Sequence, residues 1–84
     1  MTQTKIQFRR VFNQKSSLRL EKREEILYIN RDTQLITVGQ SAKIFEKDKH
    51  YTDIVMYPHG AMTVEGDFNA IASVLEDAIS QVNL

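Results

Sequence analysis

The side chains best equipped for chemistry in this chain are two histidines, two pairs of adjacent carboxylates and a run of cations in its first third. His50-x-x-Asp53 has the residue types of a transition-metal pair, and His59 falls on a neighbouring turn. A spacing of three within a loop fixes no ligand geometry, and a tetrahedral site needs four convergent donors. His50 is therefore expected in a solvated loop, and neither a metal nor any other cofactor is expected. The carboxylate pairs are Glu24-Glu25 and Glu76-Asp77. General acid–base work needs carboxylates that face one another in a dry cleft. Adjacent residues on a helix point about 100° apart, so Glu76 and Asp77 diverge. Both lie toward the C-terminal half of the helix expected there, where negative charge is mildly unfavourable. They are a candidate acidic patch for a cationic partner, weighed against an ordinary solvated face. The serines at 16, 17, 41, 73 and 80 have no nucleophile-elbow context, and Gly39, Gly60 and Gly66 are too scattered to cradle a phosphate. With no cysteine, thiolate catalysis and disulfide staples are excluded as well. The chain is not expected to be an enzyme.

The cations are the remaining chemical signal. Residues 1–31 hold eight basic and three acidic side chains, a local charge of +5; residues 32–84 hold three lysines against eight acids, −5, and the total is zero. Arg9, Arg10, Lys15, Arg19, Lys22 and Arg23 are the candidate contacts for an anion or a nucleic acid, with Tyr28, Tyr51 and Tyr57 offering stacking planes. Against that reading, Glu21, Glu24 and Glu25 dilute the field, and a nucleic-acid domain usually carries a net basic excess. Complementary elements packed within one fold produce the same asymmetry. Arg10 is the most informative of the six. Alternation sets it with Ile6, Phe8 and Phe12 on an apolar face. A buried arginine needs a carboxylate. Either the register breaks at Arg10, or it has a specific ion pair, or that face meets another chain.

The elements that must position these groups follow from periodicity. Lys5–Phe12 alternates as a strand, and a terminal strand of this kind is expected at a sheet edge open to pairing. Residues 13–17 are polar and turn-like. The charged run Glu21–Glu25 reads as a hairpin tip, with an exposed edge or a short helix as alternatives. Glu25–Asn30 and Gln34–Val38 flank the turn residues Arg31-Asp32-Thr33, and Leu27 and Ile29 against Leu35 and Ile36 are expected to form the best-buried hairpin. Gly39 suggests a bulge, and Ser41–Glu46 a further strand. Ile54–Tyr57 and Ala61–Glu65 pair across the turn Tyr57-Pro58-His59-Gly60. Asp67 is a good N-cap for a final helix, Phe68–Val82, whose Phe68, Ile71, Ala72, Leu75, Ala78, Ile79 and Val82 share one stripe of a 3.6-residue period.

Taken together these predict a single small α+β domain spanning residues 1–84, an antiparallel sheet of about five strands with the C-terminal helix packed on one face. No repeat, linker, secretory leader or long apolar run is apparent, so a cytoplasmic protein without a membrane partner is expected. Small unstapled domains often gain stability by association, which favours a homodimer. In size and general character the chain resembles the small proteins encoded by phages and plasmids, many of which bind and inhibit a host protein. The first expectation for function is a non-enzymatic interaction module for a protein partner or itself; the alternative is a nucleic-acid-binding module using the basic N-terminal third.

Overall fold

The computed structural model describes residues 3–14, 19–42 and 46–84, among which five strands and one helix form an α+β domain. The elements are β1 (Gln3–Gln14), β2 (Arg19–Asn30), β3 (Gln34–Gln40), β4 (Tyr51–Tyr57), β5 (Gly60–Glu65) and α1 (Phe68–Val82). They make one antiparallel sheet in the order β2-β1-β5-β4-β3. Three expectations change with this order. β1 is not an edge: β2 pairs with it on one side and β5 on the other. The edges are β2 and β3, so Leu27 and Ile29 do not face Leu35 and Ile36 across a hairpin. Ile36 is in fact 60 % exposed, because the bulge between Leu35 and Thr37 turns it out. That bulge is where the β3 alternation breaks; Gly39 stays in register opposite Asp53.

Two further expectations change. Glu21–Glu25 is neither tip nor helix but continuous strand, paired residue for residue with Phe12 to Phe8 of β1. Charged residues tolerate a strand when opposite charges lie near: Glu24 meets Arg9 directly across the ladder, and Glu25 meets Arg10 on the diagonal. The expected Ser41–Glu46 strand is not found at its described ends, where Ser41, Ala42 and Glu46 lie outside any strand. Residues 43–45 lie outside the described residues.

The second half follows the sequence closely. β4 and β5 pair across the Pro58-His59 turn, with Gly60 at φ 85°. Thr52, Ile54 and Met56 of β4 face the same side as Met62 and Val64 of β5. Asp67 caps α1, accepting from the backbone N–H groups of Asn69 at 3.0 Å and Ala70 at 3.4 Å. Gly66 before it has φ 143°, and a Cβ there would meet the Ile71 side chain at 3.0 Å, so only glycine fits this entry to the helix. Ile71, Leu75, Ala78 and Val82 then pack on Ile6, Phe8, Ile29, Ile54, Met56 and Val64 in one core. At its other end α1 is held by Arg31, whose Nε donates to the Val82 carbonyl at 3.3 Å.

The sheet curls round this helix. Its two outermost strands are consecutive in the chain, joined by a turn that locks itself: the Thr33 N–H donates to the Asn30 carbonyl, and the Asn30 N–H to the Thr33 hydroxyl at 3.0 Å. From the opposite side, His59 on the β4–β5 turn reaches the Tyr28 carbonyl of β2 at 3.1 Å.

Candidate interaction surface

Pairing along β1 and β2 sorts the candidate cations onto two faces. Even-numbered β1 residues share a side with odd-numbered β2 residues, so Arg10 lies with Phe12, Glu21, Arg23 and Glu25 on the side that bears the helix. Arg9 lies with Lys22 and Glu24 on the other. Of the remaining two, Lys15 is outside the described residues, and for Arg19 only the backbone position at the start of β2 is described.

The Arg10 question resolves as an ion pair within an unbroken register. Arg10 stands opposite Arg23, and a like-charge pair across a ladder is unfavourable alone. Each guanidinium is compensated by a neighbour: Arg10 Nη1 lies 3.3 Å from Glu25, and Arg23 Nε donates to Glu21 at 2.9 Å. Phe12 sits between them, with the guanidinium carbons 4.8 and 4.9 Å from its ring centre. The Arg10 side chain keeps 32 % of its surface exposed. It borders a groove of about 710 Å³ over Phe12, Met62 and Thr63.

On the other face the cations are tied more tightly. Arg9 Nε donates to Glu24 at 2.7 Å. The Lys22 ammonium bridges Glu46 at 2.8 Å and Glu65 at 2.7 Å. Lys49 approaches Glu65 at 3.7 Å, and the buried Tyr51 donates its hydroxyl to Glu46 at 3.0 Å. These contacts hold the Glu65 and Glu46 carboxyls below the ordinary carboxylate range, the Lys22 hydrogen bond being the largest cause for both. The same bonds, to Glu46 first and then Glu65, raise Lys22. Burial, ahead of the bond to Glu46, raises the Tyr51 phenol. The network fastens the chain between β3 and β4 to the sheet. Sequence reasoning missed it, since Lys22 and Glu65 are far apart in the chain.

Glu76 and Asp77 are exposed on α1, and neither pairs with a cation among the described residues. No group of three or more metal-ligating side chains occurs among the described residues, and no helix is long and apolar enough to cross a membrane.

The feature that stands apart is the outer side of β2. In an antiparallel strand the N–H and C=O of alternate residues point the same way. Asn30 and Tyr28 use theirs outward, to Thr33 and His59, so those of Ile26, Glu24 and Lys22 also point outward. There no backbone group of the described residues meets them. Ile26 is 53 % exposed and Tyr28 42 %, side by side on the face away from the helix. The sequence held a signal for this. Ile26–Ile29 is apolar without alternation, so a strand covered on one face must expose two of the four.

Compared with known proteins, the chain matches no family model, no curated protein and no solved structure.

Proposed function

We propose that this protein is a non-enzymatic interaction module that binds a protein by accepting a strand along the outer side of β2. The observation that carries the reading is the outward side of Lys22–Ile26, which no strand among the described residues pairs, with Ile26 and Tyr28 exposed beside it. An added strand would satisfy the outward backbone groups, while the two apolar side chains supply contact area and selectivity. His59 and Thr33 close the edge beyond Ile26 and limit the strand that fits.

The nucleic-acid alternative has less support. The four candidate cations with described side chains, Arg9, Arg10, Lys22 and Arg23, each have a carboxylate within 3.3 Å and are divided between two faces. A phosphate contact would have to displace those carboxylates.

Ile26→Pro is the discriminating variant. The Ile26 N–H points away from β1, so proline there removes no bond within the sheet and the fold should persist. Affinity capture from nuclease-treated host lysate should yield a protein with the native chain and lose it with Ile26→Pro. Nuclease-sensitive, steeply salt-dependent capture, abolished instead by Arg9→Glu with Arg19→Glu, would reject the reading in favour of nucleic acid.

A further inference from the structure

The open part of the β2 edge is self-complementary, and we propose that it takes a second copy of this chain, the two β2 strands pairing antiparallel about Glu24. The inference rests on the edge reading above and adds the identity of the partner.

A two-fold axis perpendicular to the sheet keeps the faces of the two copies aligned, so partners on the new ladder share a face. With the axis at Glu24, Lys22 lies opposite Ile26 of the second copy, and Arg23 opposite its Glu25. The backbone groups used are those of Lys22, Glu24 and Ile26, the outward stretch that ends where His59 holds the Tyr28 carbonyl. Charge fixes the register. Arg23–Glu25 contacts form twice, once on each side of the axis. One step toward the N-terminus sets Arg23 against Arg23 and Glu21 against Glu25. One step the other way sets Glu25 against Glu25 and demands the Tyr28 carbonyl. At the chosen axis Glu24 meets Glu24, but each is already neutralised by its own Arg9 at 2.7 Å. Ile26, over half exposed in the single chain, comes to lie along the aliphatic stem of Lys22.

The absence of cysteine makes the test direct. Hydrogen-bonded partners across an antiparallel ladder have Cα atoms about 5.5 Å apart, within disulfide range. Under mild oxidation Glu24→Cys should form an interchain disulfide. Lys22→Cys and Ile26→Cys should each remain single but cross-link when mixed. Thr37→Cys, on the β3 edge, should not cross-link. Sedimentation equilibrium of the native chain should approach twice 9.7 kDa as concentration rises, and Arg23→Glu should hold it at one chain mass. A native chain that stays monomeric, with Glu24→Cys linking no faster than Thr37→Cys, overturns the proposal. If that monomer still captures a host protein and Ile26→Pro loses it, self-pairing falls while the edge reading stands. If Ile26→Pro loses nothing, both fall.

Discussion

Arg10 stands where an alternating strand asks for an apolar side chain, and the fold accommodates it by ending the helix cover short of that position. Ile6 and Phe8, earlier on the same face, are buried; Arg10 emerges at the open end and meets Glu25. Glu65 is the opposite case, a carboxylate 16 % exposed that depends on Lys22. Its folded pKa lies below its ordinary value of 4.5, so its contribution to stability is present above that pH and is lost as acid protonates it in the folded state. Glu65→Gln should therefore lower stability at pH 7 by about 1 kcal/mol, and the loss should shrink as pH falls below 4.5 and through the folded pKa. Thermal melts of both chains from pH 7 into acid check this. Asp67→Ala, which frees the first turn of α1, should cost about 1 kcal/mol, read from urea midpoints at unchanged slope.

At the scale of elements, α1 was legible in its bounds. Its N-cap and its end at Val82 stand as the periodicity sets them, because one amphipathic helix encodes its own boundaries locally, and of its stripe Ile71, Leu75, Ala78 and Val82 are buried while Phe68 and Ala72 are half-buried. Leu75, fully buried at its centre, is the decisive position. Leu75→Ala should cost about 2–5 kcal/mol, and Leu75→Asp should abolish the cooperative melt in circular dichroism. The β4–β5 hairpin was legible for the same reason, its turn chemistry being local. β2 was not. Its charged half looks like a surface tip until Phe12 to Phe8 is seen opposite, and the partners of Glu24 and Glu25 lie 15 residues away on β1. Strand neighbours across a sheet are long-range facts, and local propensity is silent about them. The same limit hid which strands are edges, and with them the candidate surface: Arg9, Arg10, Lys22 and Arg23 were nameable as cations, but not their carboxylates.

For the whole molecule, the charge asymmetry of the sequence is partly met by ion pairs within the fold, at Arg9, Arg10, Lys22 and Arg23. Cations of the first third meet acids both of that third and of the remainder, as Lys22 meets Glu46 and Glu65. Little long-range positive field is left to attract a polyanion. The chain should accordingly elute from a heparin column below physiological salt; retention above it would reopen the nucleic-acid reading. The overall architecture, five antiparallel strands and a terminal helix, follows from the count and spacing of apolar runs, whereas the curl of the sheet does not. That curl depends on Asn30 and Thr33, whose mutual hydrogen bonds bring the two outermost strands to one corner.

The same corner gathers more than two strands. Gln3 stands opposite Asn30, and Arg31 grips the last turn of α1 at Val82, so the first and last described elements converge on one small turn. A peptide bridge of a few residues joining them into a ring would leave every strand and the helix in place. Because closing the ring restricts only the unfolded chain, the circular form should melt at a higher temperature than the linear one.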